Sequence, residues 1–219
     1  MKNYLEILKP TELFKGIEES DLLSLLSCLG TKKIDFKKGE TVFFSGEGAD
    51  RFGIVLAGQV QIVQDDYYGN RSILSQIGPG NLFGESFACA NVKALPVSVI
   101  TTTESELLLI DYCKLAIPCA KACAFHSKLI QNMLRIVSMK NIALTQKIEF
   151  TSKRTTREKL LAYLSAQANK AKSNHFSIPF NRQELADYLS VERSAMSAEL
   201  SKLRNDNVIL FQKNHFTLL

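Results

Sequence analysis

Side chains suited to reading DNA bases stand together in the last third of the chain. Arg193, Ser194 and Ser197 fall on the outward face of a predicted helix, and Lys202 follows on the same helix. A guanidinium can bind guanine O6 and N7 together, and hydroxyl groups can hydrogen-bond to several bases. A helix of this composition can enter the major groove, so the pattern predicts sequence-specific binding to double-stranded DNA.

Another predicted helix precedes this one, and the pair has the pattern of a helix-turn-helix. Asn181 can cap the first helix, and Glu184 completes a capping box. A short turn at 190–191 follows. Arg182 and Gln183, at the start of the first helix, are further candidate DNA contacts. The positions expected to face inward are Leu185, Ala186, Leu189, Met196, Leu200 and Leu203. An ordinary amphipathic helical hairpin is the alternative interpretation.

The distribution of charge favours the DNA-binding interpretation. Residues 151–219 carry 11 Lys and Arg against 6 Asp and Glu, which accounts for the whole net charge of +5. Residues 1–150 carry 16 of each sign. Cations concentrated around a recognition helix neutralise phosphates and release counterions, which supplies most of the non-specific affinity for DNA.

Length and composition indicate two modest hydrophobic cores. The chain has 219 residues, of which 46% are hydrophobic, and it contains no apolar run long enough to cross a membrane. Charges interrupt the apolar patch at the N-terminus, so we expect no signal peptide. The five cysteines form an odd set without the spacing of a disulfide framework. We therefore expect a cytoplasmic protein with reduced thiols and no membrane partner.

The first half of the chain predicts a small β-structure behind a short helix. Residues 11–30 place leucines and isoleucines near helical spacing, and Gly30 ends that helix. From residue 31 to about 111, β-branched and aromatic runs alternate with glycine-containing turns. Many short strands at this spacing predict an antiparallel barrel or jelly roll.

A long helix is predicted over about 115–150. Its apolar positions recur three and four residues apart, which is the spacing of a coiled-coil seam. Asn132 lies within that row and is the kind of polar residue that fixes register between two helices, which favours a homodimer. Packing of this face against the chain's own barrel is the alternative. The predicted dimerisation residues are Phe125, Leu129, Asn132, Ile136, Met139 and Ala143, with Ala122 at the start of the row.

A break at 150–153 separates this helix from a second one at about 155–170. The predicted domain boundary therefore lies there, with a sensor domain and dimerisation helix over 1–150 and a DNA-binding domain over 151–219. Short predicted strands on both sides of the helix-turn-helix make the second domain a winged helix. The fold class predicted for the whole chain is α+β, with a jelly-roll sensor domain, a long dimerisation helix and a C-terminal winged helix-turn-helix.

This arrangement resembles the CRP/FNR superfamily of bacterial transcription regulators over nearly the whole chain. Three motifs carry the resemblance: Lys38-Gly39-Glu40, Gly80-Asn81-Leu82-Phe83-Gly84-Glu85, and Asn181-Arg182-Gln183-Glu184-Leu185-Ala186. The resemblance implies a homodimeric transcription regulator that contacts RNA polymerase. It also implies a small-molecule effector bound in the segment from Gly84 to Val97, called the cassette below.

The cassette departs from that of the cyclic AMP-binding members. Their Arg-Ser pair, which grips the cyclic phosphate, falls on Leu95 and Pro96, and leucine cannot replace a bidentate guanidinium. Their purine-binding hydroxyls fall on Ala143 and Leu144. We therefore expect an apolar effector of unknown identity, or a cassette filled by its own side chains. The predicted effector-binding residues are Gly84, Glu85, Ser86, Phe87, Leu95, Pro96 and Val97.

Two other positions in the recognition helix also differ from the family. Many members read bases with a glutamate and an arginine that correspond to Ser194 and Ala198. The operator should therefore differ from the commonest half-sites of the family.

Redox and enzyme functions find little support in the sequence. Cys113, Cys119 and Cys123 cluster before the long helix, but their spacing matches no common zinc or iron–sulfur pattern, and packing thiols explain them better. His126 is the single candidate haem ligand. Dinucleotide, phosphate-loop, hydrolase and zinc-protease motifs are missing, so we predict neither an enzyme nor a cofactor. The alternatives are an iron–sulfur or haem sensor of the same fold, or a cyclic-nucleotide-binding protein acting on a partner protein.

Overall fold

A computed structural model describes residues 4–68, 71–117 and 124–219 of the chain. The chain forms two compact units, Met1–Ser138 and Met139–Leu219, and each has its own hydrophobic core. The sequence places the domain boundary after residue 150, at the end of the long helix, whereas the compact units meet within that helix.

The first unit begins with short helical segments: α1 (Leu5–Leu8), a 3-10 helix (Glu12–Phe14) and α2 (Glu19–Cys28). The single helix expected over 11–30 is therefore wrong. Gly16 adopts the left-handed region with a φ of 75°, which interrupts the helical path between the 3-10 helix and α2. Both segments still bury leucines in the core of the unit, although Leu23 of α2 is exposed.

Eight strands form the predicted jelly roll as two four-stranded antiparallel sheets, with orders β1-β8-β3-β6 and β2-β7-β4-β5. Gly53 in β3 faces the ring of Phe83 in β6, and a Cβ at this glycine would lie 2.1 Å from the ring, so only glycine fits. The strands are β1 (Lys32–Phe36), β2 (Thr41–Phe43), β3 (Arg51–Ala57), β4 (Val60–Asp65), β5 (Arg71–Ile77), β6 (Leu82–Phe83), β7 (Ser98–Thr101) and β8 (Ser105–Asp111).

Three helices complete the sensor side: α3 (Glu85–Cys89) between β6 and β7, α4 (Tyr112–Ala116) after β8, and α5 (Ala124–Thr151). The Asp111 side chain caps α4 by accepting a hydrogen bond from the Cys113 amide at 2.8 Å. Only the first half of α5 packs into the core of the first unit.

The predicted coiled-coil row lies on the inner face of α5 as far as Ile136, which corrects the assignment of this part of the row to a dimer interface and matches the alternative of packing against the chain's own barrel. Leu129 is fully buried in the unit's own core, and Phe125 and Ile136 pack against that core. The amide Nδ2 of Asn132 donates to two backbone oxygens of the N-terminal segment, Leu13 O and Lys15 O, both at 2.9 Å. Asn132 therefore fixes α5 to its own chain. Met139 and Ala143 are exposed on the second half of the helix, and Ala122 lies outside the described residues.

The outer face of α5 carries a different apolar row with heptad spacing. Its residues, called the outer row below, are Ile130, Leu134, Val137, Asn141, Leu144 and Ile148. Val137 lies at the edge of this face, since it is half-buried and also packs against the core of the first unit. Leu134, Leu144 and Ile148 are 67%, 60% and 65% exposed. The row repeats at four and three residues, and its polar member is Asn141.

The second unit is the predicted winged helix. Helix α6 (Thr156–Ala171) begins at a capping box formed by Thr155 and Glu158, and the Glu158 amide donates to the Thr155 hydroxyl at 3.2 Å. Helices α7 (Arg182–Leu189) and α8 (Arg193–Asn205) follow. A three-stranded antiparallel sheet of order β10-β11-β9 forms the wing, from β9 (His175–Ser177), β10 (Ile209–Gln212) and β11 (His215–Leu218).

An aromatic cluster forms part of the core of the second unit. The rings of Phe150, Tyr163, Phe180 and Tyr188 lie with centroids 4.8–6.5 Å apart. Tyr163 is almost fully buried, and among the described residues its hydroxyl has no hydrogen-bond partner. Burial and the nearby Tyr188 raise the pKa of Tyr163 to about 12, so the phenol stays neutral.

Candidate DNA interface and sensor cavities

Helices α7 and α8 form the predicted helix-turn-helix, and local hydrogen bonds define where α7 begins. The Glu184 amide donates to the Asn181 side chain at 3.0 Å, and the Asn181 amide donates to the Glu184 carboxylate at 2.8 Å. This confirms the predicted capping box. Ser190 turns the chain with a φ of 52° in the left-handed region. The six apolar positions predicted to face inward are all buried.

Glu192 fixes the start of the recognition helix α8. Its carboxylate accepts hydrogen bonds from the Ala195 amide at 2.7 Å and from the Ser194 hydroxyl. These bonds, with the one from Ser194 first, hold the pKa of Glu192 below its ordinary value. The sequence analysis missed this residue, although an acidic side chain directly before a helix is a recognisable N-cap signal.

The predicted base-reading residues of α8 lie together and are exposed. Arg193, Ser194 and Ser197 are exposed in the first turns of the helix. The Ser197 hydroxyl donates to the Arg193 carbonyl at 2.9 Å, and Ser201 repeats the pattern one turn later by donating to the Ser197 carbonyl at 3.1 Å. Each hydroxyl oxygen can still accept a hydrogen bond. Ser201, which the sequence analysis did not single out, extends the row at helical spacing.

Lys202 lies further along α8 and takes part in a loose charge network. Its ammonium is 3.7 Å from the Glu199 carboxylate and its side chain is 70% exposed. Arg157 of α6 binds Glu199 at 3.2 Å and Asp206 at 2.9 Å. The contact between Lys202 and Glu199 is long and the Lys202 side chain is mostly exposed, so Lys202 remains accessible to a phosphate.

The two candidates at the start of α7 are already engaged within the unit. The Arg182 guanidinium lies over the rings of Phe211 and Phe216, 4.9 and 5.3 Å from their centroids, and burial lowers the pKa of Arg182. The Gln183 amide donates to the Asp187 carboxylate at 2.8 Å. Arg182 and Lys213 of the wing both line an open cleft of about 430 Å³.

The cassette is closed in this structure. Gly84 precedes α3 with a φ of 77°, and a Cβ there would lie 3.0 Å from the ring of Phe43. Phe87, Leu95 and Val97 line the remaining space with Phe43 and others, and that space is only about 20 Å³. A volume of this size holds about one water molecule.

Three predicted effector residues do not line this space. Ser86 and Pro96 are exposed, which corrects the expectation that Pro96 would contribute to an apolar pocket. Glu85 is buried, and one of its carboxylate oxygens accepts a hydrogen bond from the Ser86 hydroxyl at 3.2 Å.

A larger cavity lies among helices α3, α4 and α5 of the first unit. It is an open groove of about 330 Å³, called the α4–α5 groove below. Its walls are Cys89 of α3, Tyr112, Leu115 and Ala116 of α4, and Ile130, Met133, Leu134 and Val137 of α5. The sequence analysis did not find this groove, because it depends on how helices distant in sequence pack together.

The described residues show no metal site and no membrane-spanning helix. Over the described ranges, no three side chains of His, Cys, Asp or Glu lie together as metal ligands would. The predicted thiol cluster is not tested in full, since Cys119 and Cys123 lie outside those ranges. His126 is buried, with its ring Nε2 3.2 Å from the Lys114 carbonyl oxygen. Within the same part of the chain, every helix is too short or too polar to cross a bilayer.

Two domain families match the chain in succession. Residues 33–116 match the cyclic nucleotide-binding domain, and residues 158–219 match the Crp-like helix-turn-helix domain. A β-roll sensor followed by this helix-turn-helix is the domain order of the CRP/FNR superfamily of bacterial transcription regulators, and the chain belongs to that superfamily. The predicted α+β fold is confirmed.

Individual relatives share the family and differ in what their names describe. The CRP-like cAMP-activated global transcriptional regulator of Mycobacterium tuberculosis is 38% identical over 80 residues, which is 36% of this chain and 35% of that protein. The transcriptional activator protein FnrL of Cereibacter sphaeroides is 24% identical over 82% of this chain and 73% of its own length.

Solved structures agree on the fold. The c-di-GMP-responsive global regulator CLP of Xanthomonas campestris superposes with a TM-score of 0.55 at 18% identity, over 91% of this chain and 98% of that chain. At this level of identity the similarity shows the fold, and it does not identify an effector.

Proposed function

We propose that this protein is a homodimeric, sequence-specific DNA-binding regulator of transcription that acts in the cytoplasm and contacts RNA polymerase. The observation that carries the proposal is the exposed start of α8, where Arg193, Ser194 and Ser197 stand on a buried helix-turn-helix core. The curated relatives named above are transcription regulators rather than enzymes, which supports a role without catalysis.

Base recognition is assigned to Arg193, because a guanidinium reads guanine through two hydrogen bonds. Arg193→Ala should weaken operator binding by about 1–3 kcal/mol and relax the preference at one base pair in each half-site. Lys202→Ala is the matched control, since loss of a phosphate contact weakens binding to all sequences alike.

Selection of binding sequences from a random pool with the wild type and both variants tests this assignment. Identical base preferences in the wild type and Arg193→Ala would show that Arg193 contacts only phosphate. DNA binding too weak to select any sequence with the wild type would contradict the proposed function itself.

Dimerisation is assigned to the outer row of α5 in place of the inner face that the sequence suggested. Leucine and isoleucine at heptad spacing pair two helices, and Asn141 within the row can fix their register. A two-fold dimer places two recognition helices on half-sites about one helical turn apart.

Leu144→Asp should convert the dimer to a monomer at micromolar concentration, because the change buries a carboxylate in an apolar interface. Met139→Asp is the matched control, since Met139 is 58% exposed on the same helix but outside the outer row. Analytical ultracentrifugation of both variants gives the answer. If Met139→Asp is monomeric and Leu144→Asp is dimeric, the dimer interface lies on the face of α5 that the sequence predicted.

Cyclic AMP is not the proposed effector. The cassette lacks the arginine that would bind the cyclic phosphate. Leu95 and Val97 help to line its cavity, in which only about 20 Å³ remains. A cyclic nucleotide needs several times that volume. The shared fold does not fix the effector, since the Mycobacterium tuberculosis regulator is named as cAMP-activated and the Xanthomonas campestris regulator is described as c-di-GMP-responsive. Calorimetric titration should show no binding of cyclic AMP, and micromolar affinity would contradict this.

A further inference from the structure

The α4–α5 groove differs from the cassette in size and in origin. The groove offers about 330 Å³, whereas the space that the cassette helps to line offers about 20 Å³. The two cavities share no lining residue, although Cys89 of the groove belongs to the cassette segment. An apolar protein cavity of about 150 Å³ already binds benzene, and small-molecule pockets begin near 300 Å³. The groove therefore has the volume of a ligand site, and the cassette does not.

The chemistry of the groove selects a neutral ligand. All of its lining side chains are uncharged, and most are aliphatic. Burial, and secondarily the Glu85 carboxylate, raises the pKa of the Cys89 thiol, so this side chain also stays neutral. A charged ligand would lose its hydration with no opposite charge on the groove wall to offset that loss. Cys89 and Tyr112 still provide side chains that can meet one polar group of a ligand.

The position of the groove connects it to the proposed dimer. Ile130, Leu134 and Val137 form part of its wall and also belong to the outer row. A second copy of α5 would therefore cover the open side of the groove. The site is incomplete in one chain, and a molecule inside it would contact the side chains that hold the dimer together.

We propose that the α4–α5 groove binds a neutral, largely apolar small molecule. We assign this molecule as the effector, and that assignment alone rests on the proposed function. Occupation of the groove changes the packing beneath the outer row, so the ligand would favour one arrangement of the two α5 helices over another.

The probe for this site is N-phenyl-1-naphthylamine, a neutral dye that fluoresces in apolar surroundings, added to the full-length wild-type protein without DNA. Ala116→Phe fills the groove from α4 without changing a residue of the outer row. Ala90→Phe is the matched control, because Ala90 is exposed next to Cys89 and does not line the groove. We expect the dissociation constant of the dye to rise about tenfold or more in Ala116→Phe and to stay unchanged in Ala90→Phe.

Thiol protection locates the dye in the wild type without any substitution. Saturating dye should slow maleimide modification of Cys89, detected by peptide mass spectrometry, while the exposed Cys113 reacts at its usual rate. This measurement keeps the proposal testable if Ala116→Phe folds poorly. The uncharged 1-decanol should displace the dye, and decanoate at neutral pH should do so far less effectively.

Several outcomes would overturn the proposal. The dye would lie elsewhere if Ala116→Phe bound it as tightly as the wild type, or if both phenylalanine variants lost the same dye affinity. It would also lie elsewhere if saturating dye did not protect Cys89 from maleimide. A dimeric wild type that binds no dye would show that the second copy fills the groove. Preferential displacement by decanoate would reverse the ligand class. None of these readouts uses DNA, so a failure of operator binding would count against the proposed function alone.

Discussion

In the first unit the amide of Asn132 is buried with two hydrogen bonds, whereas in the second unit the hydroxyl of Tyr163 is buried with no partner among the residues that the structure describes. A satisfied buried polar group specifies one arrangement, because any other leaves its partners unpaired. An unsatisfied one stabilises nothing and costs free energy. The first unit therefore uses a buried polar contact to fix α5, whereas Tyr163 of the second unit is held by packing of its ring.

The largest effect should come from Asn132. Asn132→Ala leaves the backbone oxygens of Leu13 and Lys15 without their partner. The bond to Leu13 is buried and the bond to Lys15 is half-buried, and a buried orphan costs about 1–3 kcal/mol. We expect the free energy of unfolding to fall by about 2–4 kcal/mol. Chemical denaturation followed by circular dichroism measures the change.

The control for that experiment is Gln131→Ala, which removes an exposed amide from the neighbouring position of the same helix. This variant should unfold like the wild type. An Asn132→Ala protein as stable as Gln131→Ala, but with a weakened dimer, would restore Asn132 to the interface that the sequence suggested.

The two rows of α5 show where sequence reasoning reached its limit. Two rows of α5 repeat at three and four residues: the inner row at 129, 132 and 136, and the outer row. Periodicity therefore identifies a helix with two apolar faces. Which face meets the barrel depends on contacts such as that of Asn132 with Leu13, which are 119 positions apart in the sequence. No local pattern encodes such a contact.

The start of α7 shows the opposite case. Its capping box joins Asn181 to Glu184 within one turn, so the residues that define the helix start are neighbours in the sequence. The start of α7 and the buried positions of the helix-turn-helix could therefore be predicted from the sequence. The cavity volumes could not be predicted from the sequence, since Phe43 and Leu95 line the closed cassette and come together only in the folded unit.

A smaller effect, of opposite sign, should come from Tyr163. Tyr163→Phe removes the hydroxyl without a partner and keeps the ring contacts with Phe150 and Tyr188. The free energy of unfolding should stay unchanged or rise by about 1 kcal/mol. Tyr188→Phe, at a half-buried position, is the matched control for loss of a phenol. Loss of stability specific to Tyr163→Phe, seen by thermal denaturation, would mean that the hydroxyl has a partner in solution.

The smallest effect should come from a polar group that is satisfied but exposed. Glu192 accepts hydrogen bonds from Ser194 and Ala195 at the start of α8, and these bonds lower its pKa. A carboxyl whose folded pKa is depressed stabilises the fold above its unfolded pKa, and that contribution disappears as the pH falls through the folded value. The wild type should therefore exceed Glu192→Gln in melting temperature by a constant amount above about pH 5, and the difference should shrink below about pH 4.

Thermal melts of both proteins between neutral and acidic pH test this. Glu158, whose pKa is also lowered, is present in both proteins, so its titration cancels in the comparison. A difference in melting temperature that does not change with pH would show that the carboxylate charge contributes nothing to the cap.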